Sequence, residues 1–299
     1  MSVRRGVVRI RDRSTNLSNH EGVMPTAAPL PNIDLTSIKQ RQQATWASGD
    51  YASVAARIPI VAERLCDAAD LRAGDKVLDV ATGSGNAALA AARCGTMVTG
   101  IDYVPALLER ARIRAMAEGL MAEFREGDAE ALPFKDGAFD AVLSVFGVMF
   151  APDQEKAATE LLRVCRPGGT IALACWTPDG FLGEMFRTMA RHVPPPAGLR
   201  SPMEWGSEAR LRELFGDGVS ALLVQPRIYT FRFRSAEEYV HFFREHYGPT
   251  LKAFAAIDPA AQERLRRDLV DTVRAYDRRG GSGPIAVPGM YLEMIAIRS

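Results

Sequence analysis

The sequence predicts an α/β protein: a Rossmann-like, mostly parallel seven-stranded sheet with helices on both faces and helical additions over the candidate site. Three observations carry this. From Lys76 to Trp176, short apolar runs alternate with segments of helical period at the tempo of βαβ units. The first run, Lys76–Ala81, leads straight into the glycine-rich turn Thr82-Gly83-Ser84-Gly85 and then an alanine-rich helix. The runs are almost continuously apolar, as strands covered on both faces must be.

Taken in order, Lys76–Ala81 is the first strand and Ala87–Arg93 the first core helix, stopped near Gly95. Met97–Asp102 is the second strand. Pro105, its φ already helical, opens a helix that Gly119 ends. Glu123–Glu126 and Ala138–Val145 follow as strands, and Gln154–Val164 as a helix with Leu161, Leu162 and Val164 on one side. Arg166-Pro167-Gly168-Gly169 breaks the chain before the fifth strand, Thr170–Trp176. Beyond it, Phe181–Arg191, Glu208–Phe215, Ala236–His246 and Pro259–Arg278 read as helices, Ala221–Phe233 and Tyr291–Ile297 as strands, and Gly280–Pro284 as a loop. Residues 1–35, with five arginines and then Ser, Thr, Asn and Pro, read as a disordered tail rather than a secretory signal. Residues 36–299 are expected to form one domain: N-terminal helices over 36–70, a cofactor-binding core over 76–176, and substrate-side additions with closing strands over 177–299.

Composition limits the function. Of 299 residues, 47% are hydrophobic and 24% charged, which is ordinary for a globular chain. The net charge of +1, from 37 basic and 36 acidic side chains, argues against a protein built to grip nucleic acid. No run of about 18 apolar residues is present, so stable membrane insertion is not expected. Cys66, Cys94, Cys165 and Cys175 are scattered, a spacing that fits neither zinc nor a disulfide framework. No metal is expected, and a cytoplasmic location with reduced thiols follows. A homo-oligomer is left open.

The chemistry gathers around the turn. Gly83 and Gly85 permit tight dihedrals and remove the Cβ atoms that would hold a ligand off the backbone. The following helix presents free N–H groups. Asp102 ends the next strand, where an acid would receive ribose hydroxyls. The turn also satisfies G-x-G-x-x-A through Ala88, so an NAD-dependent oxidoreductase is the alternative. Two features favour a methyl donor over NAD. Asp79, four residues before Gly83, suits an ammonium and a sulfonium and would sit badly beside a pyrophosphate. Asp128, in Gly127-Asp128-Ala129-Glu130-Ala131-Leu132-Pro133-Phe134, places a further acid after the third strand, able to accept from an adenine amino group while the Ala129 N–H donates to the ring.

In Val77–Asn86, Thr99–Asp102, Gly127–Phe134, Phe139-Asp140 and Leu162–Gly169 the chain resembles the class I S-adenosylmethionine-dependent methyltransferases, and within them the ubiquinone/menaquinone-biosynthesis-like (type 11) group. The resemblance implies S-adenosyl-L-methionine as methyl donor and S-adenosyl-L-homocysteine as product. It implies that Asp79 approaches the methionine amino group, while Ala81, Thr82, Gly83 and Gly85 line the methionine and ribose. Asp102 would hold the ribose hydroxyls, Tyr103 would pack on the adenine, and Asp128 and Ala129 would read its edge. Ser144 and Phe146 would border the sulfonium, and Asn86 would lie near the donor. Trp46-Ala47-Ser48-Gly49-Asp50-Tyr51 resembles a segment that closes over the methionine in such enzymes, bringing in Trp46, Gly49 and Tyr51.

The expected activity is methyl transfer to a small-molecule acceptor at O, N or C by in-line displacement, which chiefly requires alignment in a dry pocket. A base is needed only where the acceptor must lose a proton. His241, His246 and Tyr51 are the candidates, although two histidines five residues apart do not share a helix face. Phe146, Met149, Phe150, Trp176, Phe181, Met185 and Phe186 would supply an apolar wall. A cofactor-binding module without chemistry is the remaining alternative.

Overall fold

A computed structural model describes residues 34–281 and 283–299. The expected tail and His20 therefore lie outside the described residues, except that Asp34 and Leu35 begin a helix. The Asp34 carboxylate accepts from the Ser37 backbone N–H and caps α1 (Leu35–Trp46). A short α2 (Tyr51–Ala55) and α3 (Pro59–Ala68) complete the N-terminal helices.

The core alternates β1 (Lys76–Val80), α4 (Asn86–Arg93), β2 (Met97–Asp102), α5 (Pro105–Ala117), β3 (Ala122–Glu126), β4 (Phe139–Val145), α6 (Gln154–Val164) and β5 (Cys165–Trp176). Five consecutive residues of α4, Ala87 to Ala91, are buried. Small side chains let this helix lie close against the sheet while α3 covers its other side. The second half adds α7 (Phe181–His192), α8 (Glu208–Phe215), β6 (Val219–Phe233), α9 (Ala236–His246), α10 (Gly248–Ala255), α11 (Pro259–Tyr276) and β7 (Ile285–Arg298).

The seven strands lie in the order β3-β2-β1-β4-β5-β7-β6. Pairings among the first five are parallel, and β7 runs antiparallel to both of its neighbours, so it alone is reversed. The chain steps outward from β1 to β3 and then returns to place β4 beside β1. That reversal opens a crevice at the carboxyl ends of β1 and β4, where open α/β sheets bind ligands.

Several boundaries differ from expectation, each for a local reason. Phe139 pairs with Cys165 and Ala141 with Thr170, so Arg166 to Gly169 bulge out opposite the single residue Asp140, with Gly168 at φ 73°. The expected break is therefore a bulge within β5. β7 starts six residues before Tyr291, because Pro288 and Gly289, residue types that strands seldom carry, lie in register with Thr230 and Tyr229. α11 stops at Tyr276 rather than Arg278, with Asp277 in extended conformation. Helix α10 carried no recognised signal. Among the described residues no helix is long and apolar enough to cross a membrane.

Candidate functional site

The crevice is built by backbone that few side chains tolerate. Ala81, after β1, and Phe146, after β4, both have φ of 54°, and Gly83 and Gly85 have φ of 55° and 88°. Non-glycine residues held in this left-handed region cost about 1 kcal/mol or more and tend to mark functional sites. The surroundings hold both. Phe146 stacks on Trp176 at 3.7 Å, 5° from parallel, and meets Tyr291 edge-on. A Cβ on Gly147 would lie 2.5 Å from the Ala81 carbonyl oxygen, so only glycine lets the two strand ends approach this closely.

Two buried carboxylates flank the turn. Asp79 Oδ2 accepts from Thr82 Oγ1 at 2.5 Å and from the Ala88 N–H at 2.9 Å. No hydrogen bond from the described residues reaches Oδ1. Burial pushes this carboxyl up to about 7, against the pull of those two donors, and the nearby Asp102 adds to the rise. Asp102 accepts from the Gly83 N–H on Oδ2 and the Val104 N–H on Oδ1, both at 2.9 Å. Burial raises it to about 6, while the Val104, Gly83 and Tyr103 N–H groups hold it down. A carboxylate offers about four lone-pair sites, so each acid keeps acceptor capacity for a ligand.

Three cavities meet at Tyr51. The first, of about 340 Å³, is polar and lined by Asp79, Thr82, Ser84 and Asn86. The second, of about 600 Å³, runs past Asp102, Tyr103, Asp128 and Ala129. The third, of about 710 Å³, is apolar and extends beneath Trp176, Met185, Phe186 and Phe243. Ala81 joins the first two, and Trp46, Phe146 and Phe150 join the second to the third. Tyr51 borders all three, with its ring 3.3 Å from where a Cβ on Gly83 would stand. Burial, then Asp102 and Asp79, push its phenol up to about 12.

Trp46, Tyr51, Asp79, Ala81, Thr82, Gly83, Asn86, Asp102, Tyr103, Asp128, Ala129 and Phe146 thus all border one connected space. Three other expected site residues do not. Gly85 is the N-cap of α4, where a Cβ would meet Ala111 at 3.0 Å. Ser144 accepts from the Val148 N–H and donates to the Val80 carbonyl, tying β4 to β1. Gly49, at φ 74°, forms a bridge with Tyr247.

The two histidines also lie elsewhere. His241 is 69% exposed and pairs with Glu245, and the His246 ring packs on Phe242. Neither borders these three cavities, because the helical period of α9 turns Tyr239, Val240, Phe243 and Tyr247 inward instead. Of the expected wall, Phe146, Phe150, Trp176, Met185 and Phe186 line the apolar cavity, while Met149 and Phe181 are fully buried in the core.

Lys39 carried no signal in the sequence, and Glu130, although within the Gly127–Phe134 stretch, was given no role there. Lys39 Nζ lies 2.5 Å from Asp128 Oδ2 and 2.6 Å from Glu130 Oε2, and Gln43 donates to the Tyr103 carbonyl at 2.5 Å. These bonds strap α1 across the mouth of the second cavity. Lys39→Met would leave the buried Glu130 without its cation, at a cost of about 1–2 kcal/mol. Amide exchange across Leu35–Trp46, followed by mass spectrometry, is then expected to quicken about tenfold; unchanged exchange would show that the strap carries no weight.

With this geometry in view, comparison with known proteins is direct. The model of the methyltransferase domain family matches residues 78–173, the segment from β1 to β5 that builds the crevice. Over these residues the chain carries a methyltransferase domain. An uncharacterised protein of Mycobacterium tuberculosis is 43% identical over 244 residues, covering 78% of this chain and 87% of its own. A demethylmenaquinone methyltransferase of Thermus thermophilus is 42% identical over 139 residues, 45% of this chain and 63% of that one. Among solved structures, the YcgJ protein of Bacillus subtilis shares the fold, with a TM-score of 0.56 at 20% identity over 79% of this chain and 97% of that one.

Proposed function

We propose that the protein transfers a methyl group from S-adenosylmethionine to a small apolar acceptor, with the donor spanning the two acid-lined cavities and the acceptor in the third. The observation that carries this is the meeting of the three cavities at Tyr51, with Asp79 on one side, Asp102 on another and an apolar space on the last. The residues fit such a donor. Asp79 offers the ammonium an unpaired carboxylate oxygen, and Asp102 keeps lone pairs for two ribose hydroxyls. Tyr103 and Leu107 border the space for the adenine. Asp79 would repel a pyrophosphate, which weighs against the oxidoreductase alternative.

When bound, the donor supplies an activated methyl, so the chain's own work is alignment and exclusion of water. Trp46, Phe146 and Phe150 form the passage between donor and acceptor spaces, and their rings keep it dry. The one hydrophobic core cluster that contains most of this wall also spans β1 to β7, which supports treating residues 36–299 as one domain.

Calorimetric titration with S-adenosylmethionine, paired with an assay for S-adenosylhomocysteine release, tests the proposal; no binding at millimolar donor would refute it. Binding without turnover across a broad acceptor panel would favour a non-catalytic module. Asp102→Ala removes charge-assisted bonds of about 1.5–3 kcal/mol, so donor affinity is expected to fall about 10- to 100-fold, and an unchanged affinity would refute the ribose contact. Affinity is also expected to depend on pH. Both acids are raised in the free protein, to about 7 and about 6, and a bound cation favours their ionised forms. Binding therefore releases protons as pH falls through 7, and affinity should weaken from pH 8 to pH 5; a flat profile would show that neither acid meets the donor.

A further inference from the structure

The apolar cavity lacks a group suited to accept a proton. Among the described residues its lining includes no carboxylate, imidazole or amine, and its side-chain polar groups are the indole N–H groups of Trp46 and Trp176, the hydroxyls of Tyr51, Tyr239 and Tyr247, and that of Thr250. Thr250 Oγ1 points to the Met189 sulfur at 3.6 Å. The titratable groups that face the neighbouring cavities are Lys39, Asp79, Asp102, Tyr103, Asp128 and Glu130, all on the donor side. The cavity walls are largely aromatic, with Trp46 meeting Phe150 edge-on at 4.9 Å and Tyr239 stacking on Phe243 at 4.4 Å.

We propose that this cavity takes a flat aromatic acceptor whose attacking atom is already anionic in water, a thiol or an acidic ring hydroxyl, and that the protein receives no proton during transfer. The proposal rests on the methyltransferase reading and narrows its substrate class. Charge balance supports it. An anion meeting a sulfonium gives two neutral sulfur and ether or thioether products, an outcome that a low-dielectric site favours strongly. A neutral amine would instead leave a cation among aromatic and aliphatic side chains with no carboxylate to pair it. Burial raises the phenols of Tyr51, Tyr239 and Tyr247, so their hydroxyls act as hydrogen-bond donors to an anion and not as bases.

The step balances without a further reactant. The acceptor proton passes to solvent before entry. The acceptor's electron pair then forms the new bond to the methyl carbon as the carbon–sulfur bond breaks, and that bonding pair remains on sulfur.

The test uses the full chain with saturating S-adenosylmethionine and four probes of one shape: 2-naphthalenethiol, 2-naphthol, 2-naphthalenemethanol and N,N-dimethyl-2-naphthylamine. S-adenosylhomocysteine release is followed above about pH 8, where Asp79 and Asp102 are largely ionised in the free protein. The thiol is expected to react at a rate that does not change with pH. The naphthol rate should climb about tenfold per pH unit until its own pKa is reached, and the alcohol and the tertiary amine should not react. A naphthol rate that is flat with pH, or an alcohol methylated as fast as the naphthol, would reveal a base within the protein and overturn the proposal. So would no turnover of any probe while calorimetry shows the donor bound. Failure to bind the donor would overturn the methyltransferase reading itself.

Discussion

Asp79→Asn is expected to stabilise the ligand-free protein while weakening S-adenosylmethionine binding by about a hundredfold or more. The side chain is 1% exposed and accepts two hydrogen bonds, but no cation from the described residues pairs with it. A carboxyl raised to about 7 contributes stability that is fully present below its unfolded value near 4 and is lost as pH rises through 7. At pH 8 the free protein therefore holds a costly buried charge. Asparagine keeps an oxygen for Thr82 or Ala88 and carries no charge. The variant should melt roughly 5 °C higher at pH 8, and the difference should shrink as pH falls below 7. Loss of a buried charge pair with the donor ammonium costs about 3 kcal/mol or more, a factor of at least about a hundred in affinity. A melting temperature that falls at pH 8, or an affinity within a few-fold of the parent, would contradict this account of Asp79.

Gly49→Ala is expected to lower kcat/KM by at least about tenfold while the melting temperature falls by only about 2–8 °C. At Gly49 the chain has φ 74°, and a Cβ would come within 2.6 Å of the His246 carbonyl oxygen. That same carbonyl accepts from the Asp50 N–H at 3.0 Å. The turn between α1 and α2 is thereby fastened to the turn between α9 and α10. Trp46 and Tyr51, on one side of the fastening, meet Tyr247 on the other at ring distances of 5.5 and 6.4 Å. An alanine costs about 1–2 kcal/mol for the left-handed backbone alone, and the clash with backbone forces the segments apart. Separation would open the passage between donor and acceptor cavities while leaving β1 to β7 paired. Gly248→Ala attacks the fastening from the other side, since its Cβ would lie 2.1 Å from the Thr45 carbonyl oxygen, and should give the same result. A loss confined to melting temperature, with kinetics intact, would show that these glycines serve folding alone.

The donor side of the site was legible because its determinants are local. Asp79, Gly83 and Asp102 follow from strand, turn and strand, and parallel pairing brings the ends of β1 and β2 together whatever else the chain does. The seventh strand was harder, since Pro288 and Gly289 conceal half of β7. The acceptor side was only partly legible. Phe150, Trp176, Met185 and Phe186 follow β4 and β5 closely, but Phe231, Tyr239 and Thr250 reach the cavity through long-range packing that no short spacing records. His241 and His246 attracted notice for their chemistry, yet the rotation of α9 is fixed by its apolar stripe, and that stripe sends both outward. Lys39 was invisible for a related reason: its two partners lie about ninety residues away, and only the crossing of α1 over the sheet edge unites them.

A crystal structure of the full chain with S-adenosylhomocysteine would locate the donor. The ribose hydroxyls are expected on Asp102, the amino group on Asp79, and the sulfur at the junction bordered by Tyr51 and Phe146, facing the apolar cavity. A ligand seated outside these cavities, or one whose sulfur is turned away from Phe146 and the apolar space, would contradict this placement.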